Sequence, residues 1–288
     1  MVAVRPGWPL AGDDFVTADD AAADPQRLGE LACAVAQEAA ELLLSSVGHT
    51  AVVQTKSSPT DVVTEMDRAA EDLIRDRLQA ARPGDAILGE EGGETGAGAA
   101  VRWIVDPLDG TVNYLYGLPD WSVSIAAEVD GIVTAGAVCA PLHRSLFSAT
   151  LGGGAWLQSA WLAGPQRLAC NNGVALSGAL VATGFGYSAS QRASQGKLVA
   201  AVLPRVRDIR RAGSAALDMC SVAAGRVDCY YELGVHYWDI AAGSLIAREA
   251  GAIVGGLHGG EPSPAMTIAA GPSLFAALRD LLAGLDAG

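Results

Sequence analysis

The sequence has no long apolar run. Every hydrophobic stretch is broken by Gly or a charge well short of the roughly 20 residues that cross a bilayer. No membrane-spanning helix is expected. The start also lacks the basic then apolar pattern of a secretory leader. It carries Pro6, Pro9, Asp13, Asp14, Asp19, Asp20 and Asp24 instead, so residues 1–26 are expected to form a disordered acidic tail. No C-x-x-C pair occurs among the five cysteines, Cys33, Cys139, Cys170, Cys220 and Cys229. They lie among apolar residues and read as buried free thiols of a cytoplasmic protein. There is no His/Cys cluster of zinc spacing, no G-x-S-x-G and no Walker sequence. Cations are short as well: 19 Lys and Arg stand against 32 Asp and Glu, a formal charge of -13. Such a chain repels nucleic acid and anionic membranes, so neither is an expected partner.

What is present is a large apolar fraction, 50% of 288 residues, enough for a sizeable core. No repeat or flexible linker divides it. From Leu28 apolar residues recur at helical spacing to Leu43, with Gly48 after them. A second helix is expected from Thr64 to near Pro83-Gly84, opened by Thr64 and Asp67 in the manner of a capping box. Strands are expected at 86–88, 102–105, 122–129, 132–139, 145–150 and 155–157, with Asp130-Gly131 as a hairpin turn. After about residue 150 the pattern alternates. Strands are expected at 180–183, 227–232 and 266–270. Helices are expected at 195–203, 215–224, 239–250 and 273–282, the third of them capped by Asp239. The coarse result is an α+β half at 27–150 followed by an α/β half at 151–288.

Carboxylates recur at strand ends. Asp106-Pro107-Leu108-Asp109-Gly110-Thr111 follows the apolar strand Trp103-Ile104-Val105. Pro and Gly are expected to turn the chain there, so that both acids and the Leu108 carbonyl face one space. Mg²⁺ takes oxygen ligands of this kind. Alone, the segment also reads as a polar surface turn. Glu90-Glu91 follows another short strand and repels itself unless solvated or neutralised by a cation; alone it reads as an exposed acidic loop running into a flexible 95–100. Asp239 opens an apolar helix as a cap that retains a second oxygen for a metal. His236 nearby reads as structural beside its aromatic neighbours.

Together these residues resemble a known family. Trp103 to Tyr114 is similar to the first signature of the inositol monophosphatases, and Trp238 to Gly251 to the second. Gly89-Glu90-Glu91 and the block from Lys56 to Asp67 match further family segments, in order and at fitting distances. The resemblance runs from about Leu28 to Leu282. It implies a layered αβαβα sandwich of the inositol monophosphatase / fructose-1,6-bisphosphatase type, as a homodimer. It implies a phosphoric-monoester hydrolase using two to three Mg²⁺. Glu90, Asp106 and the Leu108 carbonyl would hold one ion. Asp106, Asp109 and Asp239 would hold another. Asp67 would support a weaker third ion through water. Thr111 with Glu90 would orient a metal-bound water, and the Gly110 and Thr111 amides would face the phosphate. Gly213, Ser214 and Ala215 lie where the family contacts substrate at a helix start. Glu232, in Tyr230-Tyr231-Glu232, would bind inositol hydroxyls, which makes inositol 1-phosphate the expected substrate; a strand-end carboxylate without a ligand is the other reading of that residue. Related sugar, histidinol and adenosine-bisphosphate phosphatases remain alternatives. Lithium sensitivity is also implied. A regulatory partner of the transcription machinery is the alternative from another class, with Arg205, Arg207, Arg210 and Arg211 as the cluster that would serve it.

Overall fold

The computed structural model describes residues 23–47, 52–55, 62–96 and 98–286. The expected acidic tail up to residue 22, Gly48 and the Lys56–Asp61 part of the family block lie outside the described residues. The first helix, α1 (Pro25–Leu44), opens earlier than its apolar period suggests. Asp24 caps it by accepting the Gln26 amide at 3.1 Å, and Pro25 occupies the first turn, where no N–H is needed. Residues 25 and 26 are therefore helix and not tail.

A short hairpin, β1 (Val52–Thr55) and β2 (Val62–Thr64), leads into α2 (Glu65–Ala81). Thr64 caps α2 and Asp67 returns the bond, so the expected capping box is present. Next come β3 (Ala86–Gly89), β4 (Gly93–Thr95), β5 (Val101–Asp109) and the one-turn helix α3 (Thr111–Leu115). The meander β6 (Ser122–Val129), β7 (Ile132–Ala140), β8 (Ser145–Thr150), β9 (Gly154–Ser159) and β10 (Gln166–Arg167) follows. Asp130 and Gly131, at φ 51° and 81°, make the tight turn between β6 and β7. Strands β3 to β10 form one sheet in the order β10-β9-β8-β7-β6-β5-β3-β4. Residue 150, the expected boundary of the first half, thus falls inside the β8–β9 hairpin. The segment expected to be flexible from residue 95 begins inside β4, which pairs Gly93 with Gly89 and Thr95 with Ile87, so Thr95 is strand.

The remaining elements are β11 (Leu180–Thr183), α4 (Ala189–Val202), β12 (Asp208–Arg210), α5 (Ala215–Ala223), β13 (Cys229–Glu232), α6 (Tyr237–Glu249), β14 (Ile253–Gly255), β15 (Thr267–Ala270) and α7 (Pro272–Asp286). A second sheet runs β12-β11-β13-β15-β14. Helices α1 and α2 cover one face of the large sheet, around Trp103, Val105, Ile125 and Ala137. Helices α5 and α6 fill the space between the sheets. Helix α7 closes the far face of the small sheet, with α4 against it. The order α, β, α, β, α is the layered α+β sandwich that the sequence implied.

Small residues allow this sandwich to close. A Cβ on Gly136 of β7 would stand 3.1 Å from the Ala242 Cα of α6, and one on Gly243 would stand 3.0 Å from the Met219 Cβ of α5. Beside the coming site, Tyr114 and Trp121 meet edge to face at 5.1 Å, both fully buried. The Tyr114 hydroxyl donates to the Leu43 carbonyl at 2.8 Å and ties α3 to the end of α1. Truncating Trp121 to Ala would cost about 3–5 kcal/mol.

Candidate active site

The first carboxylates stand on a bulge, not on a turn at a strand's end. Strand β5 continues through Asp109, and its pairing with β6 slips between Asp106↔Ser124 and Asp109↔Ser122. Pro107 has no amide to give the ladder, so the extra residue is accommodated there. Asp106 turns Oδ1 onto the Leu108 amide at 3.0 Å. Gly110 then takes φ +95°, and a Cβ on it would stand 2.8 Å from the Asp120 carbonyl. Only glycine fits this entry to α3.

Glu90 comes from the β3–β4 connection, where its amide donates to the Val105 carbonyl at 3.2 Å. This sets Glu90 beside Asp106. Asp239 comes from the first turn of α6. Its neighbour His236, not Asp239, is the cap residue; Asp239 stands three residues on and accepts the His236 amide at 2.7 Å. The His236 ring stacks on Trp238 at 4.8 Å and takes the structural part expected of it.

These acids feel one another. Asp106 is fully enclosed, and burial first, then Glu90, Asp109 and Asp239, hold its pKa well above the usual carboxylate range. Asp239 is raised by burial, Glu90 and Asp109. Asp109 is raised to about 6 by burial, against hydrogen bonds that favour its charged form. Those bonds come from the start of α5: the Ser214 hydroxyl donates to Asp109 Oδ2 at 2.6 Å and the Ala216 amide at 2.8 Å. Gly213, at φ +104°, delivers Ser214 to that position. The Gly213–Ala215 segment, expected against substrate, thus already meets a carboxylate of this cluster.

Thr111 Oγ lies 3.0 Å from Asp67 Oδ1 and 3.1 Å from the Leu108 carbonyl. Asp67 Oδ2 accepts both the Thr64 amide and its hydroxyl, at 2.8 and 2.5 Å. Both Asp67 oxygens are therefore engaged by protein, and burial raises its pKa. Among the described residues, no three such side chains are drawn close enough to close on one ion. Asp106, Asp109 and Asp239 each give an oxygen to a protein donor. Their charges repel one another. The donor chemistry still fits a hard divalent ion: carboxylates and one carbonyl, with no thiol or imidazole among them.

A second acidic pocket adjoins the first. The Tyr230 hydroxyl donates to Glu232 Oε2 at 3.0 Å, and burial lifts Glu232 to about 7. The Glu232 carboxylate lies against Gly184, just past β11; a Cβ there would stand 2.1 Å from either oxygen. Asp218 of α5 was not singled out from sequence. It is 4% exposed, its Oδ2 has no partner, and burial, Glu232 and Asp109 raise its pKa well above normal. The signal was an acid one helical turn after Ser214 inside the otherwise apolar Ala-Ala-Leu-Asp-Met-Cys. Gly184 left no local sign, because its contact with Glu232 joins separate strands, whereas Tyr230 and Glu232 share one face of β13.

Residues 24–284 match the Inositol monophosphatase family. The chain belongs to that family. It is 50% identical over 246 residues to the inositol-1-monophosphatase SuhB of Mycobacterium tuberculosis, covering 80% of this chain and 84% of that protein. It is 42% identical over 212 residues to the Nus factor SuhB of Escherichia coli, covering 73% and 77%. The solved IMPase of Thermotoga maritima superposes with a TM-score of 0.81 at 31% identity, over 91% of this chain and 98% of the other. Inositol monophosphatases are generally metal-dependent, and among the described residues no helix is long and apolar enough to cross a membrane.

Proposed function

We propose that this inositol monophosphatase family member is a Mg²⁺-dependent phosphate-monoester hydrolase whose preferred substrate is inositol 1-phosphate. The supporting observation is the convergence of Glu90, Asp106, Asp109 and Asp239 from β3–β4, β5 and α6, with a buried Asp106 close enough for the other three to repel its charge. Such a group is stable only when a cation or protons offset its charge. Glu90, Asp106 and the Leu108 carbonyl would hold one ion, and Asp106, Asp109 and Asp239 a second. Bound Mg²⁺ would supply charge neutralisation and Lewis acidity toward the phosphoryl oxygens.

The chain's own groups do the rest. The Thr111 hydroxyl donates a hydrogen bond to Asp67 or the Leu108 carbonyl, which leaves an Oγ lone pair to accept a hydrogen bond from the attacking water and orient it. The Gly110 and Thr111 amides face the phosphate. Ser214 and the α5 amides hold Asp109 in one orientation. Glu232 accepts hydrogen bonds from neighbouring hydroxyls of a polyol leaving group, and Tyr230 fixes its rotamer. The half at 27–150 thus supplies most of the metal ligands and the phosphate-facing amides, and the half at 151–288 adds Asp239 and reads the leaving group. The protein acts in the cytoplasm as a homodimer.

Phosphate release from inositol 1-phosphate, histidinol phosphate, fructose bisphosphate and adenosine bisphosphate tests the reading. The highest kcat/KM is expected for inositol 1-phosphate, and another substrate in first place would reassign the specificity. Li⁺ is expected to inhibit uncompetitively or noncompetitively; an unchanged rate at every accessible Li⁺ concentration removes that expectation.

A second reading is regulatory and is favoured by the E. coli relative's name as a Nus factor. Of the arginines that would serve it, Arg207 bonds the Gly178 carbonyl at 2.8 Å and Arg210 pairs with Asp208 at 2.6 Å. Arg205 bonds the Ala201 carbonyl, and Arg211 lies over the Phe185 ring at 5.8 Å. A pull-down of transcription factors by an Asp109→Asn protein would separate this role from catalysis; none retained means no such role.

A further inference from the structure

Helix α2 presents two buried acids one turn apart, Asp67 and Glu71, each 2% exposed. The i, i+4 spacing puts them on one face. Asp67 holds Thr111. Glu71 reaches the other way, into the β3–β4 turn that carries Glu90 and Glu91. Its Oε2 accepts the Glu91 amide at 2.7 Å, and its Oε1 accepts the Gly92 amide at 2.8 Å and Arg75 Nε at 2.8 Å. Arg75 then donates through Nη2 to the Gly93 carbonyl at 2.5 Å and through Nη1 to Thr95 Oγ at 3.1 Å.

The glycines around the turn are shaped to this grip. A Cβ on Gly89 would stand 2.3 Å from Glu71 Oε1, and one on Gly92 would stand 2.7 Å from it. Both flanks of Glu90-Glu91 must therefore be glycine for the carboxylate to enter. A buried acid beside two further acids is costly unless it is fully bonded. Here both its oxygens are bonded, so it is not itself a metal ligand.

We propose that Glu71, locked by Arg75, is the positioning residue of the first ion site: it fixes the β3–β4 turn so that Glu90 meets Asp106 and the Leu108 carbonyl. One face of α2 then sets two parts of the catalytic apparatus, Thr111 through Asp67 and Glu90 through Glu71. This rests on the metal-dependent reading above.

Glu71→Gln keeps the volume but offers one good acceptor and an amide NH₂ to three donors. Calorimetric titration of the full chain with Mg²⁺, and the Mg²⁺ concentration that half-raises the melting temperature, read the effect without turnover. Both are expected to weaken at least tenfold. The KM for p-nitrophenyl phosphate at saturating Mg²⁺ is expected to stay within twofold. Arg75→Lys, which keeps the charge but loses the fork, should weaken Mg²⁺ several-fold and serves alone if the first variant does not fold. A lower melting temperature in EDTA with wild-type Mg²⁺ affinity would make the grip merely structural and overturn the proposal. A wild-type protein that binds no Mg²⁺ would instead overturn the function reading, and this proposal with it.

Discussion

Replacing Glu232 with Gln should make the metal-free protein more stable and a worse polyol phosphatase at once. In the unfolded chain the carboxyl has its ordinary value of 4.5; in the fold burial carries it to about 7. The fold therefore binds this proton more tightly than the unfolded chain does. Below 4.5 both states are protonated and nothing is lost. As pH rises from 4.5 to about 7, the unfolded chain ionises freely while the fold must keep the proton or bear an enclosed charge. Stability falls through that window and stays reduced above it. At about 1.4 kcal/mol per pH unit the full loss is roughly 3 kcal/mol. Glu232 keeps some solvent contact, which trims it to roughly 2 kcal/mol. Gln has no charge to enclose and can still accept the Tyr230 hydroxyl. In a chain of this size each kcal/mol moves the melting temperature by about 2 °C. Calorimetry in EDTA at pH 8 should thus show Glu232→Gln melting about 4 °C higher, with no difference at pH 4. Its kcat/KM for inositol 1-phosphate should fall roughly ten- to a hundredfold, the loss of one charge-assisted bond of about 1.5–3 kcal/mol. Hydrolysis of p-nitrophenyl phosphate, which has no hydroxyls to offer, should hardly change. Equal losses on both substrates, or a lower melting temperature at pH 8, would refute this reasoning.

EDTA should abolish turnover and Mg²⁺ restore it, with a melting-temperature rise that is larger at pH 8 than at pH 5, since Asp106, Asp109 and Asp239 are all raised acids; full activity after exhaustive chelation would end the metal reading. Asp109→Asn removes a ligand charge but keeps an acceptor for Ser214 and Ala216, so hydrolysis should drop by orders of magnitude while circular dichroism stays native. Gly184→Ala places a methyl 2.1 Å from the Glu232 oxygens and should raise the KM for inositol 1-phosphate with Mg²⁺ affinity untouched, which parallel phosphate-release and calorimetric titrations would check.

Local chemistry was readable from sequence; pairing across the chain was not. Thr64 and Asp67 are three residues apart, and their reciprocal bonds follow from that spacing alone. The β6–β7 hairpin is set by Asp130-Gly131 and its apolar flanks. Glu90, Asp106, Asp109 and Asp239 could be picked out because each sits in a short, specific signature, and burial and mutual repulsion raise three of them together. Strands β1, β2, β4, β10, β12 and β14 were not anticipated: two to four residues carry no period, and their existence depends on a partner elsewhere. Helix α4 begins at Ala189 under a Ser188 cap, six residues before its expected start, because its first turns are polar and show no buried stripe. The Asp106–Asp109 bulge was expected as a turn, since Pro and Gly mark a break in the ladder without telling a bulge from a corner. Asp218 and Gly184 acquire meaning only once α5 and β11 lie beside β13.

The clustered carboxylates are also separated in time. Asp109 and Asp239 stand 130 residues apart along the chain. At about 5–20 residues per second of synthesis, a nascent chain carries Glu90, Asp106 and Asp109 for roughly 6–26 seconds before Asp239 is made. For about the first four-fifths of that interval Ser214 and α5 are missing as well, and α6 is missing throughout, so Asp109 has no Ser214 to hold it and the inner face of the large sheet lacks its helices. An early fragment therefore exposes both a bare apolar layer and an unshielded knot of negative charge. The second half of the chain both covers the inner face of the first and brings Asp239 to the charge-bearing centre, so the acid cluster is complete only after α6 has been made.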